Sequence, residues 1–245
     1  MDQFNNDFAL HWDELVGWDA RSAEETDFLV NLLSKYNCKN VLDVALGTGF
    51  HSIELLKHGI KVKSTDVSPA MIEVAHKNAK FHSVELDVLC AEWSELKIKV
   101  FEKFDCIICL GNSLACEMSH AKRREAIENW VDLLSENGII LVDRRNYEAL
   151  LSNNYNFSSK GQYFGKTVTI NSIVSNHETE FFYTFADGKT FTLKMYPLLE
   201  SEISALFKSV NFYLLETYGD RVLSSSGNSI GFYLSIFRKS TNVEL

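Results

Sequence analysis

The stretch VLDVALGTGFHS, residues 41–52, sets Gly47 and Gly49 after an apolar run that contains Asp43 and ends at Ala45. A glycine turn between a strand and a helix lets the backbone pass close to a ligand. Asp66 follows 17 positions after Gly49, at the end of a second apolar run. A carboxylate in that place can accept hydrogen bonds from both hydroxyls of a ribose. A third feature, Glu92-Trp93, falls just past a third such run. All three lie where ligands of open α/β sheets bind, outside the carboxyl ends of the strands.

The glycine loop narrows the ligand. A dinucleotide fingerprint uses three glycines, one of them for close backbone approach to pyrophosphate. Here Ala45 takes the place of the first glycine, and only Gly47-x-Gly49 remains. S-adenosylmethionine carries no phosphate, so its loop needs only to pass beside a methionine tail and a sulfonium. The acidic Asp43 also suits a cationic ligand. The pattern therefore favours the methyl donor over NAD, which stays open on these residues alone.

Elements able to position these residues are legible on either side. Residues 41–45, 62–66, 84–89, 104–110 and 139–143 read as strands buried on both faces, alternating with helices, the pattern of a parallel sheet with crossovers. Ser68-Pro69 caps a helix running to about residue 79. Ser119 caps another, with Ile127, Trp130, Val131 and Leu134 at helical spacing and Gly138 as its stop. From about residue 162 to 196 the alternation becomes that of a strand: Phe191, Leu193 and Met195 share one face, Lys194 and Tyr196 the other. Asp187-Gly188 marks a hairpin turn. A helix near 200–210 and strands near 212–218 and 230–238 complete a Rossmann-like α/β domain with a small inserted antiparallel sheet on its ligand side.

Composition bounds the partners. A net charge of -9 over 245 residues repels nucleic acid backbones and anionic membranes. The N-terminal stretch MDQFNNDFALHW lacks the basic and apolar regions of a signal peptide, and no run is apolar enough for a membrane span. Five scattered cysteines suit a reducing cytoplasm. Cys106 and Cys109, three apart on a strand, face opposite sides and cannot share a metal, so no metal site is expected.

The stretches WDARSAEETDFL, VLDVALGTGFHS, STDVSPAMI, AEW, FDCIICLGNS, DRRNYEALL, LKMYPL and TYGD resemble, in order, those of glycine and sarcosine N-methyltransferases. The resemblance runs from about Trp12 to the last strand. It implies a class I methyltransferase fold, with a mostly parallel seven-stranded sheet and S-adenosylmethionine as cofactor. It divides the chain, a single domain over 1–245, into an N-terminal lid (1–30), a donor-binding core (31–146), an inserted sheet over the acceptor site (155–198) and a closing segment (199–239). It implies that Arg21 binds the donor's carboxylate and Trp12 covers the donor. Ala45 and Gly47 form the loop, Asp66 binds ribose, Glu92 and Trp93 frame adenine, and Leu110 offers its backbone to the donor's amino group. Asn112, Arg145 and Tyr196 serve the acceptor, with Arg145 gripping a carboxylate. Taken singly, Arg145 reads as a surface ion-pair partner, and Trp93 and Tyr196 as packing.

Departures from the family pattern fall in the acceptor half. Cys116 stands for a histidine, Glu117 adds a charge, and Arg144 stands where histidine or glutamine is usual; on the donor side Glu92 replaces aspartate or asparagine. The expected acceptor is a small anionic molecule, first of all glycine or sarcosine. Arg144 beside Arg145 motivates an alternative, a phosphate- or phosphoramidate-bearing metabolite methylated on N or O. Only O-methylation needs a base, for which Cys116, Glu117 or His120 are the candidates. A donor-binding protein without turnover is the reading from another class. The oligomeric state stays open.

Overall fold

The computed structural model describes residues 3–152 and 167–240. Its first elements are α1 (Asn6–Val16) and α2 (Trp18–Lys35), joined at Gly17 in the left-handed region with φ 63°. Asn5 caps α1 through its side chain.

Five parallel strands follow: β1 (Asn40–Asp43), β2 (Lys61–Asp66), β3 (Asp87–Cys90), β4 (Phe104–Cys109) and β5 (Leu134–Arg145). Between them run α3 (Phe50–Lys57), α4 (Pro69–Phe81), α5 (Leu96–Lys99) and α6 (His120–Val131). The expected caps form: Ser68 Oγ accepts from the Met71 amide and Ser119 Oγ from that of Lys122. After α7 (Tyr147–Leu151), strands β6 (Thr169–Val174), β7 (Thr179–Thr184) and β8 (Thr190–Met195) form a separate antiparallel sheet. Gly188, with φ 84°, makes the expected turn between β7 and β8. Then come α8 (Glu200–Lys208), β9 (Phe212–Gly219), the two-residue β10 (Val222–Leu223) and β11 (Phe232–Lys239). Part of the expected inserted segment, 155–166, lies outside the described residues.

The main sheet has the order β10-β9-β11-β5-β4-β1-β2-β3, with β11 antiparallel to both β5 and β9. It is the expected seven-stranded class I methyltransferase sheet, extended by the short β10. The chain leaves β1 toward β2 on one side and returns to β4 on the other, which opens a crevice at the carboxyl ends of β1 and β4. Cys106 joins the core cluster on one face of the sheet and Cys109 the cluster on the other.

One expectation fails. Helix α6 ends at Val131, capped at Asp132, and Gly138 lies inside β5 instead of stopping the helix. Leu134 is strand, not the last turn of helix. The pairing of β4 with β5 is irregular between Phe104 and Cys106. A Cβ at 138 would lie 2.8 Å from Leu134 Cδ2 and 3.2 Å from the Asp105 carbonyl oxygen. Glycine is there because the start of its own strand and the neighbouring strand crowd it, not because a helix ends.

Candidate active site

The carboxyl ends of β1, β2 and β4 open on a cavity of about 440 Å³. Its floor is the loop after β1. Asp43 is buried and holds that loop: Oδ1 accepts from the Ala45 amide at 3.0 Å and Oδ2 from Ser52 Oγ at 2.7 Å. Burial raises its pKa, opposed by His51 and these hydrogen bonds. Asp43 thus braces the loop from behind and does not line the cavity. Gly47 turns with φ 56°, its amide donating to Asp66 Oδ2 at 2.8 Å.

Asp66 ends β2 and reaches the cavity wall. Its Oδ1 accepts from the Ser68 amide at 2.9 Å. Burial pushes its pKa up to about 6, against the pull of the Ser68 and Gly47 amides. Each oxygen keeps a lone pair for a hydroxyl donor. Trp93 stands across the cavity, with Nε1 fixed 2.7 Å from the Val44 carbonyl and its ring edge-on to Trp130. Glu92 lies beside it on the exposed rim.

Leu110 forms the wall after β4, and its carbonyl accepts from Ser113 Oγ at 2.7 Å. The next turn is held by Asp143 of β5, whose two oxygens accept from the Gly111 and Asn112 amides at 3.0 and 2.6 Å. Nothing in the sequence marks Asp143 for this task, because its partners lie 31 and 32 positions away. Trp12 closes the roof from α1; a Cβ at Gly47 would lie 3.9 Å from its Nε1. Helix α1 is fastened to the inserted sheet by Phe8 against Phe191, by His11 to Asp187 at 3.0 Å and by Lys189 to Asp7 at 2.7 Å. Trp12, Ala45, Gly47, Asp66, Glu92, Trp93 and Leu110 are therefore all cavity-lining. Arg21 falls in α2, and its side chain is outside what the structure describes. His51, which bonds Glu25 at 2.9 Å, and Met195 also line the cavity and were not singled out as site residues.

The three acceptor candidates take different places. Arg145, 3% exposed, ends β5. Its guanidinium lies 4.8 Å from the ring centres of both Phe181 and Phe232, the latter its cross-strand partner. One of its terminal nitrogens has no hydrogen-bond partner, and among the described residues no carboxylate pairs with it. Asn112 is buried alongside: Oδ1 accepts from the Arg145 amide at 3.1 Å and Nδ2 donates to Tyr147 Oη at 2.7 Å. Tyr196 lies apart. Its hydroxyl donates to Glu202 and the Arg123 guanidinium stacks on its ring at 3.9 Å. Strand alternation sends Met195 to the cavity, and Tyr196 is not among the residues that line it.

Arg144 points opposite to Arg145. It is buried against Tyr233, donates to Glu148 at 2.7 Å and lies 3.8 Å from Glu200. Cys116 lines the cavity as a neutral thiol, since burial pushes its pKa up to about 12. His120 is exposed at the start of α6.

Residues 41–138 match the model of a methyltransferase domain. The chain is 38% identical over 221 residues to the glycine/sarcosine N-methyltransferase of Parasynechococcus marenigrum, covering 89% of this chain and 78% of that one. It is 33% identical to the enzyme of the same name from Aphanothece halophytica, over 98% and 91% of the two chains. The chain belongs to the glycine/sarcosine N-methyltransferase family. A solved S-adenosylmethionine-dependent methyltransferase from Clostridium acetobutylicum shares the fold, with TM-score 0.77 at 18% identity over 96% and 99% of the chains. This family member is an S-adenosylmethionine-dependent methyltransferase, and its cavity fits that cofactor. It pairs a carboxylate having spare acceptor capacity with an indole wall and a loop whose turn, at Gly47, carries no side chain. Among the described residues, no group of three His, Cys, Asp or Glu side chains is placed to hold a metal, and no described helix is long and apolar enough to cross a membrane.

Proposed function

We propose that this methyltransferase acts on the amine of a small amino acid, glycine or sarcosine, whose carboxylate is gripped by Arg145. The observation that carries this reading is the buried guanidinium of Arg145, which has an unpartnered nitrogen and two aromatic faces beside it. A buried cation without a counter-ion is costly, and a monocarboxylate in the box supplies both the charge and the missing acceptor. The named relatives in the comparison support the same choice of acceptor.

On this reading the donor's ribose is held by Asp66, its base lies between Glu92 and Trp93, Ala45, Gly47 and Leu110 frame its tail, Arg21 takes its carboxylate and Trp12 covers it. S-adenosylmethionine supplies an electrophilic methyl carbon on a sulfonium. A neutral amine brings its own lone pair, so the protein needs to align and dehydrate more than to remove protons. Arg145 fixes the carboxylate, and Asn112, locked by the Arg145 amide and by Tyr147, fixes the direction of the amine. Alignment of this kind is worth up to roughly 7–11 kcal/mol. Burial raises the pKa of Tyr147, so its phenol stays neutral and orients without acting as a base.

Mass spectrometry of products from deuterated donor with glycine or sarcosine tests the activity. Arg145→Lys keeps the charge and loses the flat fork. It is expected to raise acceptor KM more than about tenfold, in line with the loss of 2–5 kcal/mol typical of a buried charge pair, with donor affinity unchanged. An unaltered KM rules out Arg145 as the clamp.

A further inference from the structure

One side chain stands between the cavity and the Arg145 box. Met195, at the end of β8, lines the cavity yet is only 3% exposed. Its Sδ lies 2.9 Å from Asn112 Nδ2 and 3.8 Å from Tyr147 Oη. The same Asn112 is tied through its other end to the Arg145 amide.

We propose that Met195 is a specificity-determining residue: it fills the place of the acceptor amine, yields to it on binding, and limits how many N-methyl groups that amine carries. The inference rests on the reading that Arg145 holds the acceptor's carboxylate. A thioether is a weak acceptor, so an amide N–H and a phenol aimed at Sδ are poorly satisfied and would gain from an amine lone pair or a carboxylate oxygen. Methionine is also unbranched and flexible at three torsions, the side chain best able to leave and refill an irregular space. In glycine and its N-methyl derivatives the nitrogen is two bonds from the carboxylate carbon. On this proposal the carboxylate lies on Arg145, whose charge acts on Tyr147, and the nitrogen lies on the Tyr147–Asn112 side, where Sδ now lies. Each added N-methyl group competes with the Met195 side chain for the same volume.

Nothing in the fold requires a thioether there. The preceding inward residue of β8, Leu193, is fully buried in the apolar core. Among the described residues, the Met195 sulfur makes its polar contacts with Asn112 and Tyr147, both belonging to the box.

The test is a set of kcat/KM values for glycine, sarcosine and dimethylglycine with wild type, Met195→Leu and Met195→Ala, together with S-adenosylhomocysteine affinity by calorimetry. Met195→Ala is expected to raise the ratio for the bulkier acceptors over glycine by about tenfold, the scale of one methyl group in a tight pocket. Met195→Leu, which keeps the volume and loses the sulfur, is expected to leave that ratio within about threefold. Should the alanine variant not fold, Met195→Val is expected to shift the ratio in the same direction by about half as much on a logarithmic scale. A purely structural methionine predicts an equal loss for all three acceptors; that outcome, or a ratio that moves only with donor affinity, overturns the proposal. Failure of the parent reading looks different: wild type turns over none of the three acceptors, or Arg145→Lys keeps its KM, and the role of Met195 falls with it.

Discussion

If Asp66 holds the donor's ribose as proposed, it gives the donor site a pH signature. Its carboxyl is pushed up to about 6, chiefly by burial and further by the charge of Asp43, against the Ser68, Gly47 and Val67 amides. A ribose held through charge-assisted hydrogen bonds prefers the ionised form. Binding therefore lowers this pKa and releases a proton wherever the free carboxyl is protonated. The sign follows: affinity is full above about pH 7 and is lost as pH falls through 6. At pH 5 only about one free molecule in eleven carries the carboxylate, so the Kd for S-adenosylhomocysteine rises about tenfold, or ~1.4 kcal/mol. Titration calorimetry between about pH 5 and 7.5, in buffers of different ionisation enthalpy, reads both the affinity and the proton count. Asp66→Asn is expected to weaken binding by roughly 1.5–3 kcal/mol at the upper end and to flatten the slope. His51 also lines the cavity, which is why the variant is needed. A flat wild-type profile, or a slope that survives in Asp66→Asn, refutes the assignment.

Two further outcomes test the frame around the site. Gly138→Ala forces a Cβ to 2.8 Å from Leu134 Cδ2 and 3.1 Å from the Ser135 carbonyl oxygen; overpacking of this kind costs about 1–3 kcal/mol, visible as a lower midpoint in denaturant with donor affinity unchanged per folded molecule. Asp143→Asn turns one acceptor into a donor facing the Gly111 or Asn112 amide, a loss of about 1–3 kcal/mol. Because that turn carries Leu110 on the donor side and Asn112 on the box side, donor Kd and acceptor KM should both rise. A change in stability alone would separate the turn from the site.

How far the sequence reaches depends on whether a residue's task is local. Strands β2 and β4 lie within a residue of where their apolar runs place them, since a buried parallel strand is a short run with polar ends. Ser68 and Ser119 cap as read, because capping spans three residues. The glycine loop and Asp66 are legible for the same reason: a tight turn and a strand end are local statements. Gly138 misleads because its constraint is crowding, by Leu134 and Ser135 at the start of its own strand and by the Asp105 carbonyl of the neighbouring one, and not the end of a helix. Tyr196 is less directly legible. Alternation correctly separates it from Met195, but period two cannot say which face meets the cavity; that is decided by Arg123 and Glu202, from α6 and α8, which capture the tyrosine. Asp43 reads as an acid suited to a cationic ligand, but it is buried behind the loop, held by Ser52 and the Ala45 amide, and is absent from the cavity lining where Asp66 is present.

The pair Arg144-Arg145 shows how one strand end sorts charge. Adjacent residues of β5 face opposite sides, so the two guanidiniums that suggested a phosphate clamp never meet. Arg144 is neutralised by Glu148 and lies near Glu200; Arg145 sits among Phe181, Phe232 and the Asn112–Tyr147 pair. The box therefore offers one positive charge and mainly aromatic walls. A monoanion is balanced there, whereas the second charge of a phosphonate would be buried with no cation of its own, a cost of several kcal/mol. The phosphonate analogue of glycine, doubly charged at pH 8, should then compete with glycine at least about a hundredfold less well than acetate does, allowing ~3 kcal/mol for the extra charge. Inhibition constants against glycine decide it. If the phosphonate matches acetate, Arg144 must turn inward on binding, and Glu148→Gln, which loosens Arg144, should strengthen phosphonate inhibition while leaving that of acetate alone.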